Sequence, residues 1–321
     1  MIKAFSVATL LLTTVLAGCS SDAGSQSKAL TLYTCASDAV EQAVVKAYEQ
    51  GHSGSKVDVF RAPTGQLNAR VAADVRGGGI RADVIWACDP LTMHGYDAQG
   101  LMRPWKPPAT PSAAYRTANS VGVDVLYLVA VVHKGVTPPA SWADLAQPQY
   151  RGGVAVPSPS FAASALGALG YFTAAPGYGM SYYEQLKANG AKQVNSPDNV
   201  LTGVAQGTYR AGFTLANSAY AAQRKGSPIE VIWPTPGAIA IPAPIGVTAK
   251  KHPSPQAGDF AAFTASPAGQ AAIAHAGAYV PTPGLPGPPL PAGSPIVSPD
   301  WTAMFGDSAT LLARYAKVFG S

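Results

Sequence analysis

The stretch ADVIWACDP, residues 82–90, stays apolar from Val84 to Ala87 and then breaks into a thiol, a carboxylate and a proline. A short continuous apolar run ended by turn residues fits a strand covered on both faces. Upstream, ALTLYTCAS (29–37) reads as another buried strand. It is followed by DAVEQAVVKAYEQG (38–51), where Val40, Val44 and Tyr48 recur at helical spacing. Asp38 with Glu41 forms a capping-box pattern, and Gly51 is a natural stop. KVDVFRA (56–62) is a further strand. PTGQLNARVAADVRGGG (63–79) then sets Leu67, Val71 and Val75 on one helical face, opening near Thr64 and ending at Gly77–Gly79. The alternation is β-α-β-α-β, which predicts an α/β fold with a parallel sheet and helices on both faces. Ligands of such sheets sit beyond the carboxyl ends of the strands. Three loops qualify here: CAS (35–37, with Ser37), PTG (63–65) and CDP (88–90).

The N-terminus sets the compartment. Lys3 precedes the apolar run FSVATLLLTTVLAG (5–18), which closes on LAGC at Leu16–Cys19 and is followed by the polar SSDAGSQSK. The run is shorter than the roughly 20 residues a membrane-spanning helix needs, so it reads as a secretory signal. Its end resembles the lipobox of bacterial lipoproteins, in which the cysteine is acylated and becomes the new N-terminus. Residues 1–18 are then a lipoprotein signal peptide, Cys19 the lipidation site and 19–28 a tether, placing the protein on the extracytoplasmic face of the cell membrane. About 300 residues remain, enough for two lobes. Two cysteines remain as well, in an oxidising compartment. Cys35 and Cys88 each follow a buried strand, and the expected strand order sets those strands side by side. They read as a disulfide stapling two cleft loops, with two space-filling thiols as the alternative.

Charged residues are only 12 % of the chain, the formal charge is +5, and no basic cluster exceeds AKKH (249–252), so a nucleic-acid footprint is absent. The 47 % hydrophobic content with periodic segments outweighs the disorder that 33 Gly and 29 Pro would suggest. There is no G-x-S-x-G elbow, Walker A loop or His-Glu metallohydrolase pair, so the reading is not an enzyme. A hydrolase with a dispersed triad, or an envelope scaffold lipoprotein, is the alternative of a different class.

Further along, VDVLYLVAVVHKG (123–135) is a long strand and a helix is expected to open near Ser160. The pieces LTLYTCASD, TGQLNARVAAD, ADVIWACDP, QGLMRPW, PASWADLAQPQYRGGVAVPSPS, VLTGVAQGTYRAGFT, PIEVIWPTPGAIAIPAPIGV and SPAGQAAIAHAGAYVPT are similar, in the same order, to the solute-binding proteins of ABC importers. The resemblance covers roughly residues 29–283 and is nearest the branch holding ferric-ion, organophosphonate and thiamine binders. It implies a two-lobed type II periplasmic-binding-protein fold with the solute between the lobes. Lobe 1 would be 29–123 plus 236–290, and lobe 2 124–235 plus 291–321. PTPGLPGPPLPAGSP (281–295) reads as a stiff surface connector to SATLLARYAKVFG, a helix expected to bury Leu311, Leu312, Tyr315 and Phe319 against lobe 2.

Helix N-termini carry unpaired N–H groups and partial positive charge, which suits carboxylate, phosphate or phosphonate. Candidate starts are Thr64–Gly65 on one lobe and Ser160, Phe161 and Ala162 on the other. Asp89 is a candidate hydrogen-bond acceptor or a helix cap. Asn195 and Asn217 follow strands where the related proteins place cleft contacts, and Tyr220 is a candidate stacking platform. Trp86, Trp105 and Trp233 are expected in the core. The resemblance places a tyrosine dyad for ferric ion where this chain has Ser218 and Ala219, while Tyr182 and Tyr183 fall on an earlier helix and read as packing. The five histidines lack ligand spacing. The expectation is a monomeric receptor, without metal or cofactor, that hands a small organic anion, a phosphonate or phosphate ester, to an ABC permease and ATPase complex. Ferric ion, thiamine, polyamine and sugar are the alternatives.

Overall fold

A computed structural model describes residues 29–109 and 115–320. The signal segment, the tether and Cys19 lie outside the described residues. The first unit is β1 (Leu30–Thr34), α1 (Asp38–Gly51), β2 (Val57–Arg61), α2 (Thr64–Arg76), β3 (Val84–Trp86) and α3 (Pro90–Ala98). β2 and β3 flank β1, both parallel to it, so the first and third strands are neighbours.

Two long strands follow, β4 (Ser120–His133) and β9 (Ala238–Val247), antiparallel to one another, with β9 antiparallel to β3. Between them in sequence lie β5 (Val154–Pro157), α4 (Ala163–Ala174), α5 (Met180–Ala188), β6 (Lys192–Val194), α6 (Pro197–Ala205), β7 (Ala211–Leu215), α7 (Ala216–Arg224) and β8 (Ile229–Ile232). α8 (Ala257–Ala265), α9 (Pro267–His275), β10 (Ile296–Val297) and α10 (Trp301–Phe319) complete the chain. The main strand order is β2-β1-β3-β9-β4-β7-β5-β6. Each end of this curled sheet is parallel, as expected, and the middle is antiparallel because the chain crosses between the ends in both directions.

Apolar side chains cover both faces at each end. Val44, Tyr48, Phe260 and Ile273 pack against Leu32 and Trp86, while Leu67, Val71 and Met93 pack on the other face against Tyr33 and Ile85. At the far end Trp142, Phe172, Tyr182, Tyr183 and Phe213 form one core and Val131, Ala155, Val200 and Val204 another. α10 buries Leu311, Tyr315 and Phe319 in the first of these. It also reaches α3: Leu91 joins the same core, and the His94 ring stacks on Phe305 at 3.8 Å. Residues 281–295 form turns and bends without helix or strand.

Four local expectations change. Val75 is 40 % exposed, because each four-residue step rotates about 40° around a helix and the third falls off the face. Asp74 takes the buried position instead and accepts from the Tyr33 hydroxyl at 2.8 Å. Ser37 is the N-cap of α1 without a side-chain bond, and Asp38 pairs with Arg61 at 3.0 Å rather than forming a box with Glu41. α4 starts at Ala163, not near Ser160. α10 starts seven residues before Ser308, capped by Asp300, whose carboxylate accepts from Ala303 N–H at 3.0 Å.

Asp124 sits in β4 beside a register break opposite β9 and is buried, with Trp86 Nε1 at 3.4 Å from its carboxylate. Burial pushes its carboxyl from the ordinary 3.8 up to about 7, against the lowering effect of the Trp86 bond. A carboxyl raised on folding favours the native state below its unfolded value, and that stability is lost as pH rises through the folded value. Asp124→Asn is therefore expected to gain stability relative to the parent between about pH 4 and 7, on the order of 4 kcal/mol at most. Urea midpoints across that range check it, and a pH-independent difference contradicts it.

Candidate functional site

The carboxyl ends of β1, β2 and β3 face the starts of α4 and α6 across a cavity of about 210 Å³. One wall is Cys35, Arg61, Pro63, Thr64 and Cys88. The other is Phe161, Ala162, Ala163 and Ser164 with Ser196, Pro197, Asp198 and Leu215, and Leu126 of β4 lies between. Larger hollows run along the outer face of α1 (about 470 Å³), between α5 and α10 (about 530 Å³) and in a groove among α2, α3, α4 and α10 (about 340 Å³), but none lies at the carboxyl end of a strand.

Among the helix starts at the cavity, α2, α4 and α7, which follows the lining Leu215, have no side-chain cap. α2 begins after Pro63 and α4 after Ala162, neither of which has a side-chain acceptor for the first-turn N–H groups, although the Pro63 carbonyl accepts from Gln66 N–H at 2.9 Å. By contrast, Ser196 caps α6, its Oγ accepting from Asn199 N–H at 3.1 Å. The walls touch where Gly65 N–H donates to the Phe161 carbonyl at 3.4 Å. A Cβ on Gly65 would stand 3.3 Å from both the Phe161 ring and the Ser160 carbonyl, so the approach suits a residue with no side chain. Arg61 ends β2, and its Nε donates to the Ala36 carbonyl at 2.7 Å and lies 3.0 Å from Asp38. Both Nη groups make no hydrogen bond to the described residues. The disulfide Cys35–Cys88 is present, with Cα atoms 5.9 Å apart, and forms part of the cavity wall.

Of the residues singled out from sequence, Thr64, Phe161, Ala162 and both cysteines line the cavity. Gly65 and Ser160 stand at the contact between the walls. Ser37 is the exposed cap of α1. Asp89 is buried and used internally: its carboxylate accepts from Thr92 N–H (2.8 Å) and Thr92 Oγ1 (2.7 Å), capping α3. Asn195 is exposed, one residue before the lining Ser196. Asn217 lies on α7 with a buried, unpartnered Oδ1. Tyr220 accepts from Trp233 Nε1 at 3.0 Å and packs with Val129 and Tyr279. Trp86 is fully buried, and Tyr182 and Tyr183 are core residues. Sequence reasoning missed Arg61, Ser196 and Asp198. A basic residue closing a strand, and a Ser-Pro-Asp start after one, were the available signals.

Residues 30–278 match the family of bacterial extracellular solute-binding proteins. The chain belongs to that family. Like its members it is a binding protein and not an enzyme. The spermidine/putrescine-binding periplasmic protein of Salmonella typhimurium is 32 % identical over 165 residues, 47 % of this chain and 45 % of that one. The match thus spans under half the length of that relative. Among solved structures, AfuA of Actinobacillus pleuropneumoniae with fructose-6-phosphate superposes with TM-score 0.80 at 18 % identity, over 91 % of this chain and 98 % of that one. Iron-bound HitA of Pseudomonas aeruginosa gives 0.76 at 21 %, over 90 % and 99 %. A periplasmic thiamin binding protein gives 0.76 at 16 %, over 91 % and 96 %. These solute-binding proteins share the two-lobed fold. No described helix is long and apolar enough to cross a membrane.

The disulfide joins positions 53 apart, for which loop entropy gives about 4 kcal/mol of stabilisation. Cys35→Ala/Cys88→Ala is expected to unfold at lower urea with its free energy reduced by about 3–4 kcal/mol, and an unchanged midpoint contradicts this.

Proposed function

We propose that this solute-binding protein is a monomeric, lipid-anchored receptor of an ABC importer that holds a small organic anion, a phosphate ester or phosphonate, between two lobes. Lobe 1 is 29–123 plus 236–290 and lobe 2 is 124–235 plus 291–321. Cys19 carries the anchor, and the partner is a permease with its ATPase. The observation that carries the reading is the pair of uncapped helix starts, α2 and α4, that open onto one cavity beside Arg61. Together they supply N–H donors, two positive helix ends and a guanidinium suited to a tetrahedral oxyanion. The fold shared with AfuA, which holds a sugar phosphate, is consistent with this.

A polyamine, as named for the Salmonella relative, needs several cleft carboxylates, and the cavity lining contains one, Asp198, with an arginine on the other wall. Ferric ion needs converging anionic oxygens. Ser218 and Ala219 provide none, the Tyr220 hydroxyl is engaged by Trp233, and Tyr182 and Tyr183 lie in the core.

Calorimetric titration with fructose-6-phosphate, glycerol phosphate, methylphosphonate, spermidine and ferric citrate tests this. A phosphorylated or phosphonate probe is expected to bind, and Arg61→Gln to weaken it at least about tenfold while leaving the ligand-free melting temperature nearly unchanged, since its ion pair with Asp38 is exposed. Tight ferric binding, or binding of spermidine alone, overturns the reading.

A further inference from the structure

β5, β6, β7 and β8 all begin at the end of the sheet where β4 finishes, because β4 is antiparallel to β7 and β8 while β5, β6 and β7 are parallel. The row there runs β6-β5-β7-β4-β8, and each strand has a cation at or beside that end: Lys192, Arg151, Arg210, Lys134 and Lys225, in the same order. No two of these are neighbours in sequence, so no local basic run betrays the row. Hydrogen bonds hold it together. Arg210 Nη2 donates to the Arg151 carbonyl at 2.9 Å, His133 N–H to the Arg210 carbonyl at 2.9 Å, and Lys134 N–H to the Pro228 carbonyl at 2.8 Å in the turn that follows Lys225. Strands about 4.8 Å apart spread the five charges along roughly 20 Å. All five residues are exposed.

Nothing among the described residues neutralises this row. The six ion pairs use His52, Lys56, Arg61, Arg70, Arg81 and Lys250, all outside β4–β8. The segments that form this end contain the acids Asp144 and Glu230. Asp144 is engaged by the Ala140 and Ser141 N–H groups at 2.8 and 2.9 Å, and neither acid forms an ion pair. A single such cation is a solvated strand end, but five on one edge sum to a positive field. The large exposed apolar side chains, Val59, Val75, Phe161, Leu290 and Ile296, belong to none of these segments. A protein partner needs a buried apolar or aromatic centre. A row of cations without one matches a plane of anionic headgroups instead.

We propose that this end of the sheet is a docking surface for anionic phospholipid headgroups, held to the membrane face by charge alone. The row lies at the amino ends of β5, β6 and β7 and the cavity at their carboxyl ends, so the contact leaves the mouth open. It needs neither an acyl chain nor any particular solute, and stands or falls apart from the reading above.

Sedimentation of the unacylated chain Ser20–Ser321 with vesicles tests it, comparing phosphatidylcholine alone with phosphatidylcholine mixed with phosphatidylglycerol. The mixed vesicles are expected to bind at least about tenfold more tightly at low ionic strength, and the difference to shrink as salt is added. Lys134→Gln/Lys192→Gln/Lys225→Gln is expected to weaken binding to the mixed vesicles at least about thirtyfold, at about fivefold for each cation. Arg76→Gln/Arg103→Gln/Lys251→Gln removes the same charge from exposed positions elsewhere and is expected to stay within about threefold of the parent. Melting curves without vesicles check that each variant is folded, and Lys192→Gln and Lys225→Gln taken singly repeat the test without the combined change. Equal binding to the two kinds of vesicle, binding to neither, indifference to salt, or equal losses in the two triple variants overturns the proposal.

Discussion

Residues 120–128 of β4 pair with residues 239–246 of β9 in an antiparallel ladder, and the rest of the architecture hangs on it. On one flank β9 holds β3 and through it the parallel strands of the first unit. On the other, β4 continues past Leu128 to pair with β7 and β8. The two strands thus belong to both ends of the sheet at once. Because the ladder fixes where each parallel unit begins, it also brings the carboxyl ends of β1, β2 and β3 opposite the starts of α4 and α6. The cavity exists because two separately built α/β units present the same edge to one another, and Leu126 of this ladder lies between its walls.

Within that frame, local chemistry decides what the edge can bind. Serine and aspartate side chains at the starts of α3, α6, α9 and α10 accept bonds from their first turns. α2 and α4 follow a proline and an alanine, so no side chain caps them; in α2 Gly65 N–H donates to the Phe161 carbonyl and Gln66 N–H to that of Pro63, which leaves the Thr64 N–H facing the cavity with the first turn of α4. The glycine at 65 lets these two starts come within contact of one another. A fold found with fructose-6-phosphate, iron and thiamin proteins at 16–21 % identity leaves selectivity to such details rather than to topology.

The topology was legible because its signals are repetitive: continuous apolar strands, helical spacing, and two cysteines each within two residues of a strand's end. The neighbouring order of β1 and β3 needed only the parallel alternation. Individual site residues were less legible, for a physical reason. Capping a helix and binding a solute draw on the same residue types at the same strand ends, so Asp89 and Asp198 look alike in sequence. The fold separates them: one carboxylate bonds Thr92 in the interior, the other lines the cavity. Asn195 misses the lining by one residue, a distance that periodicity does not resolve. Arg61 was hidden for the opposite reason, since a strand that is mostly exposed gives its last side chain no apolar context.

The reach of α10 across to α3 has a consequence outside the cavity. α2 and α4, whose starts line the cavity, continue outward with Asn68, Val71 and Leu166 along a groove completed by α3 and α10. His94 stacked on Phe305, and Leu91 in the core it shares with α10, resist separation of Thr64 from Ala162 on this side of the molecule. The two walls of the cavity are therefore tied to one another along their flank as well as at their mouth, at a surface remote from the cavity.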